Sequence, residues 1–222
     1  MTGAADGPST GSGKPREGDT QASDRRELFV RAYNTEIKTG WGHDYFFDCR
    51  WSFQRGYRYN FKKTHPVLYL ASDQLIASSE IGARTRSEML VPHLQSAADP
   101  YLYVTIKVTA DLLDLTDRST RRLLGIKLEE LLIPRKQWGD NMDKGVWSVT
   151  HHLGKLALED DRFDGIIYPA QPADELLGLP NKENVAIFMD PSLVTMSRPL
   201  HASVKLEVVD QGHVLKRLGL RL

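Results

Sequence analysis

The segment YLYVTIKV at residues 101–108 constrains the fold more than any other part of the sequence. Its apolar side chains Leu102, Val104, Ile106 and Val108 alternate strictly with other positions. An alternation with a period of two is typical of a β-strand that buries one face. We therefore predict a strand here and a fold that contains at least one sheet.

Further strand signals lie on both sides of this segment. The first is LFVRAY, which begins at Leu28, and the next is VLYLA at 67–71. LLDLTD at 112–117 is predicted as a separate strand that follows the alternating one. The remaining predicted strands are FDGIIYPA at 163–170, NVAIFMD at 184–190 and SVKLEVV at 203–209.

Helix signals are fewer and are not placed regularly between the strands. Ser72 or Asp73 can cap a helix that carries Glu80 about two turns from its start. Asp117 can cap a short helix, and apolar residues recur on one face of a longer helix at 144–159. Because strands outnumber helices and do not alternate with them, we predict an α+β domain with mixed or antiparallel sheets.

The chain divides into a polar leader and one folded domain. Residues 1–26 contain five glycines, two prolines and no Val, Ile, Leu, Phe, Tyr or Trp. Such a segment cannot bury enough apolar surface to offset its ordering entropy, so we predict a disordered leader. We predict that 27–222 forms a single domain, in which 191–222 is a C-terminal strand extension.

Charge, cysteine and histidine patterns exclude several classes of function. Lys plus Arg and Asp plus Glu both total 29, so no net field attracts nucleic acid or an anionic membrane. The only cysteine, Cys49, cannot form an internal disulfide. The adjacent His151 and His152 would point about 100° apart on a helix, which disfavours a shared metal ion. No segment approaches the roughly 18 apolar residues of a membrane span. We expect a cytoplasmic protein that binds no metal, nucleic acid or membrane.

Three side chains with complementary chemistry follow one another between Gly56 and Glu80. Arg58 lies in the run GYRYN, where the glycine permits close backbone approach and the guanidinium suits a pyrophosphate. The ring of Tyr69, in VLYLA, can stack on a cationic ring such as nicotinamide. Glu80 can accept a hydrogen bond from a ribose hydroxyl and stabilise an oxocarbenium-like transition state. Together these residues point to chemistry on NAD.

Each of these residues taken alone also has an ordinary structural explanation. Arg58 can be a surface ion-pairing residue, Tyr69 a core residue and Glu80 a solvated helix position. Their order and spacing favour the functional interpretation. Arg50 is a second candidate for the arginine, but it lies 19 residues before Tyr69, whereas Arg58 lies 11 residues before it.

Several segments also occur in an order that matches a known family. GYRYN at 56–60 is similar to a Gly-Gly-Arg-Trp-Asn run, and HPVLYLASDQLIASSE at 65–80 to a LYLA strand with a Glu-bearing helix. LLDLTDRSTRRLLGI at 112–126 is similar to an Asp-Leu-Thr element. FDGIIYPAQP and NVAIF are similar to a Gly-Leu-x-x-Pro-Ser segment and an Asn-Leu-Val-Phe strand. Over about 28–190 the chain therefore resembles the RES domain, the toxin family of RES–Xre toxin–antitoxin systems.

The resemblance implies a fold, an activity and a partner. The fold is ADP-ribosyltransferase-like, and the activity is consumption of NAD by hydrolysis, by phosphorolysis or by transfer of ADP-ribose to a protein acceptor. By position, Arg58, Tyr69 and Glu80 take the family's catalytic and NAD-binding roles, and Asn60 and Gln171 are further candidate contacts to the nucleotide. The resemblance also implies an antitoxin protein that occludes the cleft.

One position departs from the family pattern. Where the family has serine after the proline, this chain has Ala170. Gln171 is the nearest replacement, and Ser78 and Ser79 are the other candidates. Loss of one neutral hydrogen bond costs about 0.5–1.5 kcal/mol, which weakens NAD binding without abolishing the chemistry. The alternative to an active enzyme is a degenerate domain that binds only a nucleotide or a partner.

Overall fold

The strands and helices of the computed structural model lie within residues 23–34, 46–80, 101–170, 182–193 and 197–209, which are the residues that the structure describes. The strands are β1 (Ser23–Asn34), β2 (Val67–Ala71), β3 (Tyr101–Asp114), β4 (Gly165–Pro169), β5 (Glu183–Phe188) and β6 (Lys205–Val208). The helices are α1 (Arg50–Arg55), α2 (Gln74–Glu80), α3 (Arg118–Leu123), α4 (Leu128–Leu131), α5 (Arg135–Asp143) and α6 (Val149–Leu158).

Hydrogen bonding joins these strands into one mixed sheet. β1 pairs antiparallel with β3 along its whole length and also meets β2 at Val30↔Ala71. β2 and β4 both pair antiparallel with β5, and β4 runs parallel to β3. The pairings therefore close into a circuit, β1–β2–β5–β4–β3–β1, and β6 lies antiparallel beside the middle of β3. The predicted α+β class with a mixed sheet is confirmed.

One strand prediction was wrong. The predicted strands at 101–108 and 112–117 are a single strand, β3, which ends at Asp114. β1 remains paired with it as far as Leu112, and β4 joins as a parallel partner at Leu112, Leu113 and Asp114. Both leucines are buried because the strand is covered on both faces here, so the alternation that marks 101–108 is lost while the strand continues.

The two ends of the predicted domain are described only in part. β1 begins at Ser23, before the predicted start at Leu28, because its pairing with β3 extends that far. Residues 1–22 of the predicted leader lie outside the described residues, as do residues 210–222 at the other end. Within the predicted C-terminal extension, β6 pairs with β3.

The helix predicted for 144–159 is α6, and it begins later than predicted, at Val149. Gly145 has a φ of +74°, which favours glycine and turns the chain after α5. The Ser148 backbone N–H donates to His151 Nδ1 at 3.1 Å, so one of the unpaired groups at the helix start is bonded by a side chain of the first turn. The turn and the cap together set the start of α6.

The sheet has two different faces, because side chains alternate along β2, β4 and β5. One face, called here the core face, carries apolar side chains that are at most 3% exposed: Leu68, Leu70, Ile167, Val185 and Ile187. The other, called here the site face, carries Tyr69, Tyr168 and Asn184 together with the apolar residues Val67, Ala71, Ile166, Ala186 and Phe188. Helices α4 and α6 pack over the site face through Leu131, Leu153 and Ala157.

Candidate functional site

The GYRYN run forms a tight loop beside the site face. Gly56 has a φ of +70°, and a Cβ atom there would lie 2.5 Å from Met142 Sδ and 2.6 Å from the Lys62 backbone nitrogen. The Tyr57 N–H donates to the Asn60 carbonyl oxygen at 2.9 Å. Glycine is required at the first position by both the backbone angle and the close approach.

Asn60 ties this loop to β2. Its side chain is fully buried, and its Nδ2 donates to the carbonyl oxygens of Ser52 at 2.7 Å and His65 at 3.0 Å. Its Oδ1 accepts from the Tyr69 hydroxyl at 2.8 Å, and that hydroxyl accepts from the Tyr59 N–H at 2.9 Å. Both polar atoms of the Asn60 amide therefore bond within the protein, and one of them holds the Tyr69 hydroxyl.

Tyr69 presents a fixed aromatic ring. The ring is half-buried, and its centroid lies 5.5 Å from that of Tyr57. Burial raises the pKa of the Tyr69 phenol well above its ordinary value, although the Tyr59 N–H opposes the shift. The hydroxyl therefore stays protonated and continues to donate to Asn60. A ring held in this way offers a stacking surface to a flat ligand.

Arg58 points from the loop towards α4. It is only 7% exposed, and its Nη1 donates to the Leu131 carbonyl oxygen. A guanidinium keeps its charge at any pH that a folded protein tolerates. The structure therefore places a permanent positive charge beside the site face.

Glu80 lies in the second turn of α2, and the Asp73 carboxylate caps the start of this helix by accepting from the Ile76 N–H at 2.9 Å. The Glu80 Oε1 accepts from Asn184 Nδ2 at 2.5 Å. Asn184 is the first buried residue of β5 and stands between Ala71 of β2 and Tyr168 of β4 in the sheet. This bond fixes the carboxylate over the site face.

Two tyrosines connect the arginine end of the site to the glutamate end. The rings of Tyr59 and Tyr168 pack with their centroids 4.5 Å apart. Burial raises the pKa of both phenols, and the Glu80 carboxylate adds to this shift while the Arg58 guanidinium opposes it. Tyr69 also raises the pKa of Tyr168. The structure therefore brings Arg58, Tyr69 and Glu80 within electrostatic reach of one tyrosine pair.

Some buried polar atoms in this region have no hydrogen-bond partner among the described residues. They are Tyr59 Oη, Asn184 Oδ1, Ser72 Oγ and His65 Nε2. A buried polar group without a partner costs about 1–3 kcal/mol, so such groups are rare unless a ligand or water bonds to them. Tyr59 and Asn184 both adjoin Tyr168, which makes this part of the site face suited to a polar ligand.

Helix α6 supports the loop from behind. A Cβ atom at Gly154 would lie 1.8 Å from the Tyr59 carbonyl oxygen, so the helix backbone rests directly against the loop. His151 Nε2 lies 3.0 Å from the Tyr57 carbonyl oxygen, and burial lowers the pKa of this imidazole. A neutral His151 donates from Nε2 to Tyr57 and accepts the Ser148 N–H at Nδ1. The loop is therefore held by close packing and by a buried histidine.

The other sequence candidates lie in different settings. Ala170 is 2% exposed in an apolar cluster with Ala71, Ile76 and Ala77 beneath α2. Gln171 lies outside the described residues, and so do the side chains of Ser78 and Ser79.

Arg50, the second candidate arginine, is exposed at the start of α1. Its Nη2 and Nε bond to the Asp48 carboxylate at 2.5 Å and 2.8 Å. His152 is exposed whereas His151 is buried. Among the described residues no group of three or more His, Cys, Asp or Glu side chains is arranged to hold a metal ion, and no helix there is long and apolar enough to cross a membrane.

Asn184, Tyr59 and Tyr168 belong to the site but are not predicted from the sequence. A signal for Asn184 was present, because a lone polar residue precedes the apolar run VAIF in a strand that is buried on both faces. Such a residue resembles an ordinary strand boundary. Its importance depends on Glu80, which lies 104 residues earlier in the chain.

Comparison with known proteins assigns the chain to a family. Residues 31–208 match the family described as the RES domain. Among solved structures, a chain of the M. tuberculosis MbcT–MbcA toxin–antitoxin complex is similar, with a TM-score of 0.50 and 18% identity over 84% of each chain. A search of curated proteins finds no match. Because the family match extends over most of the chain, the protein belongs to the RES domain family.

Proposed function

We propose that this RES domain protein is a toxin-like enzyme that consumes NAD by cleaving the bond between nicotinamide and ribose. Arg58 binds the pyrophosphate, the ring of Tyr69 stacks on nicotinamide, and Glu80 stabilises the positive charge that develops on the ribose. Asn60 acts indirectly, by holding the Tyr69 hydroxyl through the 2.8 Å bond. The observation that best supports this proposal is the 2.5 Å bond that fixes the Glu80 carboxylate over the face carrying Tyr69.

The chemistry requires a carboxylate at this position. The nicotinamide nitrogen of NAD is positively charged, so when its bond to C1′ breaks, the electron pair leaves with nicotinamide, which departs as a neutral molecule. The positive charge then moves to the ribose, where a fixed carboxylate stabilises it more in the transition state than in the ground state. Water or phosphate attacks C1′ and loses a proton, which gives ADP-ribose or ADP-ribose phosphorylated at the same carbon.

The burial around the site favours the same reaction. Tyr59, Tyr168 and Asn184 are each at most 4% exposed, so these neighbours of the carboxylate and the guanidinium are shielded from bulk water. Electrostatic interactions are stronger in such surroundings than in bulk water. The raised pKa values of the tyrosines keep these groups as neutral hydroxyls that are able to donate to a nucleotide.

The family and its solved relative also suggest a partner. RES domains are toxins of toxin–antitoxin systems, and the structural relative was solved in complex with its antitoxin, MbcA. We propose that an antitoxin protein restrains this enzyme by occluding the cleft over the site face. Such a partner would need to cover Tyr69 and Glu80, because these residues bind the reacting half of NAD in this proposal.

A second candidate function is a degenerate domain that binds NAD or a partner without chemistry. Ala170 favours it, because this residue replaces the family's serine and is packed among alanines and Ile76. A hydroxyl at this position would touch mainly apolar atoms. The enzyme and the degenerate domain differ in one observable, the release of nicotinamide.

The test is to measure nicotinamide release from NAD by the purified chain, with and without phosphate. We expect release by the wild-type protein and a loss of about 10²-fold or more in Glu80→Gln. Glu159→Gln, at the exposed end of α6, is the matched control and should retain full activity. Equal activity of Glu80→Gln and wild type would remove Glu80 from the mechanism.

The products separate the remaining alternatives. ADP-ribose indicates water as the acceptor, and a phosphorylated product indicates phosphate. Release that requires an added protein, with a matching increase in the mass of that protein, indicates transfer of ADP-ribose. NAD binding by calorimetry without any release under these conditions would favour the degenerate domain.

A further inference from the structure

Asn184 occupies a central position in the site that its own strand does not explain. It is 2% exposed, and its neighbours in the sheet are Ala71 on one side and Tyr168 on the other. Burial of a polar amide is unfavourable unless its atoms form hydrogen bonds. Its two polar atoms therefore need separate explanations.

The nitrogen of this amide acts on Glu80. Asn184 Nδ2 donates to Glu80 Oε1 at 2.5 Å, and a hydrogen bond to an ionised carboxylate is charge-assisted and stronger than one between neutral groups. α2 is a short helix and Glu80 is in its last described turn, so the helix alone does not restrict the carboxylate to one rotamer. The bond from a buried strand residue restricts it.

The oxygen of the same amide has no bond to the described part of the protein. Asn184 Oδ1 is buried and has no hydrogen-bond partner among the described residues. A carbonyl oxygen can only accept, so a ligand that satisfies it must bring a donor such as a hydroxyl. Because the nitrogen and the oxygen belong to one planar amide, this acceptor lies next to the Glu80 carboxylate.

We propose that Asn184 positions Glu80 and also accepts a hydrogen bond from the substrate, from the ribose hydroxyl adjacent to the one that Glu80 binds. This inference rests on the proposed function and adds a specificity-determining residue to it. Two adjacent acceptors match the two donors of a vicinal diol. The substrate class that the pair selects is thus a nucleotide with an intact ribose diol on the nicotinamide side.

The test is a double-mutant cycle between Asn184→Ala and Glu80→Gln, with nicotinamide release from NAD as the readout. We expect Asn184→Ala alone to lower kcat/KM by about 10- to 100-fold, the loss associated with a hydrogen bond to a charged group. In the Glu80→Gln background the same change should cost only about 2- to 10-fold, the loss of the direct bond to the substrate, because the part of the effect that acts through Glu80 is already lost. Asn141→Ala, on α5, is the matched control and should leave activity unchanged.

Asn184→Asp tests the positioning role without a change of size. It loses the donor and places a second carboxylate beside Glu80, which disfavours the ionised form of Glu80. The acidic limb of the pH profile of kcat should therefore move to higher pH, which a purely structural role would not cause. NAD that lacks the 3′-hydroxyl on the nicotinamide ribose tests the acceptor role of Asn184 Oδ1. The wild type should process it with a lower kcat/KM than NAD, whereas Asn184→Ala should process the two substrates equally well.

Two results would overturn the proposal. Full activity of both Asn184 variants, beside an active wild type, would remove Asn184 while leaving the proposed function intact. Equal losses from Asn184→Ala in the two backgrounds, together with an unchanged pH profile in Asn184→Asp, would assign Asn184 a structural role. Absence of release by the wild type itself would overturn both this proposal and the proposed function.

Discussion

The two faces of the sheet are built by the same strands, but only one of them combines polar groups with its buried apolar side chains. On the core face, β2, β4 and β5 contribute Leu68, Ile167 and Ile187, which are entirely buried and apolar. On the site face, the alternate positions of the same strands carry Tyr69, Tyr168 and Asn184 with their polar groups. A shift of one residue along the chain thus changes a side chain from one face to the other.

The comparison shows how one sheet can supply both stability and a polar site. Burial of each large apolar side chain on the core face contributes about 1.5–3 kcal/mol. A buried polar atom without a partner, such as Tyr59 Oη or Asn184 Oδ1, costs about 1–3 kcal/mol. The core face therefore compensates for the cost of the site face, and the two should respond differently to mutation.

The largest expected effect on stability is on the core face. Ile187→Ala removes a fully buried side chain and should lower the free energy of unfolding by about 2–5 kcal/mol. Urea unfolding measures this, and the kcat of the protein that remains folded should change by less than about 2-fold. A kcat that falls as steeply as stability would show that the two faces are not separable.

The next largest effect concerns the support behind the site face. Gly154→Ala places a Cβ atom 1.8 Å from the Tyr59 carbonyl oxygen, so the helix or the loop must move, at a cost of about 3 kcal/mol. Gly139→Ala is the matched control, because a Cβ atom there meets nothing within 4 Å; it should stabilise α5 by about 0.5–1 kcal/mol. Thermal unfolding measures both. Similar stability of the two variants would contradict the close packing of α6 on the loop.

Acid should destabilise the protein through two buried histidines, His65 and His151. Burial lowers the pKa of His65 to about 4 and also lowers the pKa of His151. The unfolded chain, with ordinary histidines, binds more protons than the native state between about pH 4 and 6.5, so stability is lost as the pH falls through this window. His65 alone should cost about 2 kcal/mol between pH 7 and pH 5. Urea unfolding at both pH values should show this loss, and His65→Gln should reduce it.

A smaller effect is expected for the anchor of the stacking ring. Tyr69→Phe keeps the ring but leaves the Tyr59 N–H and Asn60 Oδ1 without their partner, which should cost about 1–2 kcal/mol. The KM for NAD should rise because the ring and loop are less well held. Circular dichroism during thermal unfolding and nicotinamide release provide the two measurements. A variant with wild-type stability and KM would show that the hydroxyl does not anchor the site.

The smallest expected effect is at the position where the family has serine. Ala170→Ser should change NAD affinity by about 0.5–1.5 kcal/mol, the contribution of one neutral hydrogen bond. Tighter binding by calorimetry would show that the hydroxyl reaches the nucleotide. Unchanged binding with lower stability would show that position 170 belongs to the apolar packing under α2, as its neighbours Ala71 and Ile76 suggest.

Much of the fold could be predicted because its signals are local. The period-two alternation at 101–108 and the short apolar run VLYLA each identified a strand without knowledge of any partner. The continuation of β3 to Asp114 and the closure of the sheet by β1 could not be predicted. Both depend on pairing between segments far apart in sequence, which leaves no pattern within either segment.

Prediction of the site residues from the sequence has the same limit. Arg58, Tyr69 and Glu80 were selected by residue type and order, and the structure brings them around Tyr59 and Tyr168. The internal role of Asn60 could not be predicted, because an amide can bond equally well to a ligand or to the backbone. Residue type indicates what a side chain can do, whereas only the fold determines what it contacts.

The bond between Glu80 and Asn184 has a consequence for the synthesis of the protein. The two residues are 104 positions apart, so a growing chain presents α2 long before β5 has been made. Contacts of such long range form late, because the chain must first close a large loop. A growing chain that has not reached β5 therefore carries Glu80 without the amide that orients it, and in the proposed mechanism the polypeptide becomes active only after β5 has been synthesised.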